Sequence, residues 1–290
     1  MNPLPFKLII VTGCMRSGTS LLHRLISTSP DTGERLGPAR YIADFLQLSR
    51  RYLGEDSPFA TDYFQSSDDL VSATRQFVEA RLHDAWVHAG RPTCLVLRTV
   101  EIAPMLPLVA DLLPEAKFAI SVREPKDTIT SILNVGAKQR ILGIRRNALA
   151  ASRDIRRLSK TYNGAYLAVF RKQRSDALFR DRIVFVRYED AVSNSAAALD
   201  DVWQRFDLRP GSGTLPADPV TRPSLGEISN HRYWRSYRTS LSEAPVSTQS
   251  VGSYRSALKT SEIWHVNWRC RLLRREFGYA GQATRYEASR

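Results

Sequence analysis

The sequence predicts an α/β domain: a central, mainly parallel β-sheet flanked by helices, with helical and loop insertions over one end of the strands. Three observations carry that expectation. Short apolar, β-branched segments alternate with helix-period segments along most of the chain. A loop with two glycines joins the first strand to the first helix. No internal repeat and no linker divides the 290 residues, so one domain over 1–290 is expected.

The elements follow in order. "KLIIVTG" is a buried strand by its apolar, β-branched run. "SGTSLLHRLISTS" is a helix ending at Pro30, with Leu21, Leu22, Leu25 and Ile26 on its apolar face. "TCLVLRT" is a second strand. "IAPMLPLVADLLP" follows as a helix despite Pro104 and Pro107. "AKFAISV" is a third strand, and "PKDTITSILNV" a helix with proline in its first turn. A long helix is expected over roughly Arg146 to Lys172, then a fourth strand, "RIVFVRY", and the helix "AAALDDVWQRF". The core blocks are therefore 7–36, 93–190 and 247–280. Residues 37–92 and 208–246 break the pattern and read as insertions over the carboxyl ends of the strands, where open α/β sheets bind ligands.

Composition narrows the function classes. The net charge is +13, and 35 of the 42 cations are arginine, a residue that grips planar or tetrahedral anions through forked hydrogen bonds. Lys138 to Arg182 holds thirteen basic and three acidic residues. A solvated helical face is the plain reading of such a run, and an anionic ligand the functional one. No basic–aromatic interleaving, zinc-finger or RNA-binding signature accompanies it, so nucleic acid is not expected. Cys14, Cys94 and Cys270 are few and far apart, with no disulfide framework or metal-ligand spacing. A reducing cytoplasm fits them. The N-terminus lacks a signal-peptide pattern, and no apolar run approaches the ~18 residues of a membrane span. Oligomeric state stays open, a homo-oligomer included.

The chemistry concentrates in "VTGCMRSGTSLL". Gly13, Gly18 and Ser20 stand where a nucleotide-triphosphate loop has its glycines and hydroxyl, but Thr19 replaces the lysine and Arg16 brings a cation earlier. Helix N-terminal amides attract an anion, glycines admit the backbone to it, and Arg16, Ser17, Thr19 and Ser20 add donors. A magnesium–triphosphate site also wants an aspartate on a neighbouring strand. The third strand ends instead in Arg123. No metal is therefore expected, and a second anion bound directly by arginine is.

Taken together these residues resemble the sulfotransferases that use 3′-phosphoadenosine 5′-phosphosulfate (PAPS). "TGCMRSGTSLL" resembles their 5′-phosphosulfate loop, and "FAISVREPKDTITSIL" their 3′-phosphate motif, here Arg123 and Ser131. "VFVRYED" is similar to the segment whose tyrosine, here Tyr188, lies near the adenine. "STQSVGSYRSAL" resembles the C-terminal cofactor loop, here with Ser247 and Gly252. The blocks keep family order from Lys7 to Leu258. The resemblance implies a P-loop-like fold and PAPS as sulfuryl donor to a hydroxyl-bearing acceptor, a small molecule, lipid or carbohydrate.

Two departures matter. Cytosolic enzymes acting on small phenols carry Lys-Thr-His at the second strand end, the histidine being the base; here the place reads Arg98-Thr99-Val100. Their Arg-Lys-Gly run is replaced by Ser247, Thr248 and Gln249. The chain is closer to the tyrosylprotein and carbohydrate branch, in which a glutamate after the first helix is the base. That points to Glu34, offset by a short gap, with His83 and His88 as alternatives and His23 structural. Arg16 and Arg98 are the expected electrostatic donors to the leaving phosphate and sulfuryl group. Tyr41, Phe45, Tyr52, Phe59, Tyr63, Tyr233, Trp234 and Tyr237 are candidate acceptor walls. The competing readings are a metal-dependent nucleotide kinase and a non-catalytic polyanion-binding protein.

Overall fold

The computed structural model describes residues 4–53, 63–144, 152–211 and 247–280. Four parallel strands form one sheet in the order β2-β1-β3-β4: β1 Lys7–Gly13, β2 Cys94–Arg98, β3 Lys117–Val122 and β4 Ile183–Arg187. Both faces are covered. Leu8, Ile10, Leu95, Leu97, Phe118 and Ile120 point into one core, and Ile9, Val11, Val96, Ala119, Val184 and Val186 into the other. Burial on both sides is why these strands read as continuous apolar runs rather than alternating ones.

Strand order is the part of the fold that positions the site. The chain leaves β1 toward β2 on one side and returns to β3 on the other. The carboxyl ends of β1 and β3 therefore flank a topological switch point, the crevice in which such sheets bind ligands. Register sets the levels: Gly13 pairs with Ser121, Val122 with Arg187, and Val11 with Arg98. Arg123 and Tyr188, each the next residue along its strand, thus emerge side by side.

The helices are α1 Thr19–Ile26, α2 Arg40–Ser49, α3 Ser67–His88, α4 Leu106–Leu112, α5 Pro125–Ile141, α6 Ile155–Ser175, α7 Ala177–Asp181, α8 Tyr188–Ser193 and α9 Ser195–Phe206. After residue 246 come α10 Tyr254–Ala257, α11 Thr260–Arg269 and α12 Arg271–Glu276. Helices α1 and α9 cover one face of the sheet through Leu22, Leu25, Ile26, Leu199, Val202 and Phe206. Helices α3 to α6 and the C-terminal pair pack on the other.

Some expected boundaries move. Helix α1 stops at Ile26, four residues before Pro30. The helix expected over "IAPMLPLVADLLP" is a 3-10 turn, Ala103–Met105, followed by α4, each with a proline in its first turn. A proline lacks the amide that an interior turn requires, so each starts its own helix. The long helix begins at Ile155, where the Asp154 side chain accepts the Arg157 amide at 3.0 Å; residues 145–151 of the expected stretch lie outside the described residues.

Candidate active site

The loop after β1 is built on unusual backbone. Gly13 and Gly18 have φ of 143° and 103°, and Arg16 is left-handed at 68°. Glycine is required at both of its positions. A Cβ on Gly13 would lie 2.3 Å from the Ser121 carbonyl, and one on Gly18 would lie 2.5 Å from the Tyr188 ring. The loop is stitched to β3 by reciprocal bonds: Ser17 Oγ donates to the Ser121 carbonyl at 3.0 Å, and Ser121 Oγ to the Ser17 carbonyl at 2.7 Å. Tyr166 of α6 supports it from below, accepting from the Cys14 amide at 3.1 Å and donating to the Ser121 carbonyl at 2.9 Å. Helix α1 starts with no side-chain cap. Its first amides have no acceptor within the helix and offer a positive terminus to an anion.

Arg123 stands across the switch point and is 5% exposed. Tyr162 fixes its backbone by donating to its carbonyl at 2.9 Å. Its guanidinium lies over the Tyr188 ring, 4.4 Å from the centroid, and donates to the Ser250 carbonyl at 2.6 Å and the Arg16 carbonyl at 3.5 Å. Its Nε is buried without a partner. A buried cation held by carbonyls and an aromatic face, with an N–H to spare, suits an incoming anion better than an internal carboxylate.

Ser131 is near this arginine but is engaged by the other one: Arg16 Nε donates to Ser131 Oγ at 3.1 Å. The 5′ loop and the 3′ motif, separate blocks in the sequence, form one cluster. The C-terminal loop closes it. Ser250 Oγ and the Tyr188 hydroxyl share a hydrogen bond of 2.7 Å, so Ser250 is the loop residue at the cluster. Ser247 instead caps its own 3-10 turn, accepting the Gln249 amide at 3.2 Å. The Gly252 amide is taken by Asp127, a buried carboxylate in the first turn of α5, at 2.7 Å. Asp127 also accepts from Ser253 Oγ at 3.1 Å and the Tyr254 amide at 3.0 Å. Sequence reasoning passed over Asp127 and Ser250; the acid in the first turn of a proline-started helix was the available signal.

On the β2 side, Arg98 reaches the same loop, Nη1 donating to Ser20 Oγ at 3.1 Å. Burial pulls its pKa below the usual guanidinium range; the Glu101 carboxylate opposes that and Arg35 adds to it. His23 lies beneath, at hydrogen-bond range from the Val96 carbonyl at 3.4 Å. Burial, then Arg98 and Arg35, push its pKa down to about 3, so it is a neutral packing residue.

The Glu34 backbone is anchored lower on this side. Residues 31–39 run along the outer edge of β2 from bottom to top: the Cys94 amide donates to the Asp31 carbonyl at 2.9 Å and the Ala39 amide to the Arg98 carbonyl at 2.9 Å. Between them the Glu34 amide donates to the Ala89 carbonyl at 3.0 Å, at the foot of β2. Ala39, not Glu34, is level with Arg98. His83 and His88 are at the same lower end. His83 lies 5.4 Å from the Trp86 ring, which stacks on Phe6 before β1 and donates to the Pro92 carbonyl before β2. Both histidines are exposed rather than packed. Glu101 is the acid at the top: it follows Arg98 by three residues, accepts from Thr99 Oγ1 at 2.8 Å and pairs with Arg40 at 3.3 Å.

Of the candidate acceptor walls, Phe45 packs on Phe77 with centroids 4.0 Å apart, while Tyr41 and Tyr63 are exposed. Phe59, Tyr233, Trp234 and Tyr237 lie outside the described residues. Cys14, Cys94 and Cys270 are buried free thiols, each pushed up to about 12 by burial, and are chemically quiet. Among the described residues no cluster of His, Cys, Asp or Glu is placed to hold a metal ion. None of their helices is long and apolar enough to cross a membrane.

A parallel sheet with a glycine-bounded anion loop after its first strand and a buried arginine after the adjacent strand defines a P-loop-like domain for a phosphorylated or sulfated ligand. Residues 9–210 match the sulfotransferase family model, and the chain belongs to that family. Among curated proteins none matches the sequence significantly. Among solved structures, the sulfotransferase STF9 from Mycobacterium avium superposes with a TM-score of 0.55 at 12% identity, over 95% of this chain and 77% of that one. The sulfotransferase domain from the curacin biosynthetic pathway gives 0.52 at 13% identity, over 92% of this chain and 98% of that one. At these identities the likeness is one of fold.

Proposed function

We infer that this sulfotransferase takes PAPS as donor and moves its sulfuryl group to a hydroxyl of a small-molecule, lipid or carbohydrate acceptor. The observation that carries the reading is Arg123: buried, fixed at its carbonyl by Tyr162, and holding an unpartnered N–H beside the anion loop. Arg123 and Ser131 would hold the 3′-phosphate, residues 13–20 the 5′ end, and Tyr188 the base, with Ser250 rather than Ser247 closing the site. Bound there, PAPS supplies an activated sulfuryl group whose leaving group is a phosphate.

The chain's own residues then have three tasks. The first amides of α1, with Arg16, hold negative charge on the leaving phosphate. Arg98, hydrogen-bonded to Ser20 of that helix, supplies a fixed cation on the β2 side. Arginine keeps its proton, so it acts here only electrostatically. A general base must take the acceptor's proton. Glu101 at the top of β2 suits this role better than Glu34 at its foot, because a base must come within hydrogen-bond reach of the acceptor hydroxyl.

Isothermal titration with 3′-phosphoadenosine 5′-phosphate, with ATP–magnesium and with an oligonucleotide tests the class. Binding of the first alone supports the reading. Preference for ATP–magnesium restores a kinase-like enzyme, and preference for the oligonucleotide a polyanion binder. Sulfuryl transfer is also expected to survive excess EDTA.

A further inference from the structure

Within the basic segment singled out in the sequence, Tyr162 and Tyr166 brace the loop and Arg123, while its exposed cations form a separate feature. Much of the segment is α6, whose buried side carries Leu158, Tyr162, Tyr166 and Val169. Arg156, Arg157 and Lys160 are exposed on its outer side. Helix α11 lies alongside. Arg153, just before α6, pairs with Glu262 near the start of α11 at 2.7 Å, and Asn163 donates to the Arg269 carbonyl at its end at 2.9 Å. The two helices therefore run side by side in the same direction, with their outer faces adjoining.

The outer face of α11 is apolar where a surface helix is ordinarily polar. Trp264 and Trp268 of α11 and Leu272 of the adjoining α12, spaced four residues apart, are 62%, 52% and 61% exposed. The two indoles lie parallel, centroids 6.4 Å apart, and Arg269 and Arg271 flank Trp268 within 5.5 and 6.0 Å of its ring centre. Opposite them, Val266, Cys270 and Leu273 fill the core. The two tryptophans thus lie outside the hydrophobic core.

We propose that the face formed by α6 and α11 binds an anionic membrane surface. The cations of α6 are complementary to acidic headgroups, and tryptophan and leucine flanked by arginine are the side chains that enter the headgroup–acyl boundary. The exposed rings adjoin exposed cations, the combination that an anionic bilayer surface takes up. The inference is independent of the sulfuryl-transfer reading.

The test is co-sedimentation of the full chain with vesicles of phosphatidylcholine mixed with phosphatidylglycerol, and with vesicles of phosphatidylcholine alone. Binding to the mixed vesicles only, weakened by salt, is expected. Bromine-labelled lipid should quench the tryptophan fluorescence of the unaltered chain. Trp264→Ala with Trp268→Ala should abolish most of that quenching. Arg156→Ala, Arg157→Ala and Lys160→Ala together should lower partition roughly a hundredfold, about fivefold per cation. No vesicle binding, or binding without quenching, overturns the proposal. So does retention by heparin or an oligonucleotide without vesicle binding, which would identify a polyanion partner. A dimer in sedimentation velocity that the double tryptophan variant dissolves, again without vesicle binding, would assign the face to a second copy of the chain.

Discussion

The two sides of the switch point are built differently. On the β3–β4 side, Arg123, Tyr188, Ser250 and Asp127 are tied by buried and partly buried hydrogen bonds from four separate stretches of chain. On the β2 side, Arg98 meets the loop through one hydroxyl, and the acids and arginines around it are partly exposed. In the proposed function the first side recognises a fixed ligand with the same charges in every turnover. The second must admit an acceptor and release it. Dense satisfaction suits preorganised binding, and sparse contacts suit a surface that opens locally.

The largest expected effect tests which acid serves the open side. Glu101→Gln should lower kcat by about 10²–10⁴-fold with cofactor affinity near wild type, while Glu34→Gln changes it little. An activated phenol as acceptor should partly restore Glu101→Gln, since it needs less help in losing its proton. The reverse ranking would return the role to Glu34. Arg98→Ala should cost about 10²–10³-fold in kcat, the loss of one preorganised donor, with no rescue by the activated acceptor. Rescue would make Arg98 an acceptor-side group.

On the closed side, Arg123→Ala should weaken 3′-phosphoadenosine 5′-phosphate by about 2–4 kcal/mol in isothermal titration. A nucleotide lacking the 3′-phosphate should bind nearly as before. Equal losses for both would show that Arg123 holds the site together instead of reading the phosphate.

The smallest effect concerns the floor of the β2 side. The folded pKa of His23 is depressed to about 3 from an ordinary value of 6.5. The unfolded chain therefore binds the extra proton first. Stability from neutral His23 is complete above pH 6.5 and declines as pH falls toward 3, by at most about 1.4 kcal/mol per pH unit. Denaturant unfolding of His23→Gln between pH 6.5 and 5 should show a slope shallower by up to one proton. An unchanged slope would mean that His23 titrates normally.

Much of this was legible because it is local. Each strand is a short β-branched run, and the loop's glycines and hydroxyls sit within eight residues of one another, so spacing alone marks a glycine-bounded loop between strand and helix. Arg123 was legible for the same reason, as the residue at the end of an apolar strand. The level of Glu34 could not be read the same way, because sequence distance from α1 says nothing about height along β2. The pairing of residues 31–39 with the strand edge decides that, and it places Glu34 low and Ala39 beside Arg98. Ser247 and Gly252 were read from motif position, whereas docking of the C-terminal loop onto Asp127 puts Ser250 at the arginine.

By itself, then, the sequence determined the α/β class, the anion loop and the arginine that faces it, because hydrophobic period and turn chemistry act over a few residues. Only the tertiary structure decided the order β2-β1-β3-β4, the Arg16–Ser131 contact, and the indoles of α11 beside the cations of α6. These depend on register and packing between segments as many as 115 residues apart, and neither is encoded in the local pattern of either segment.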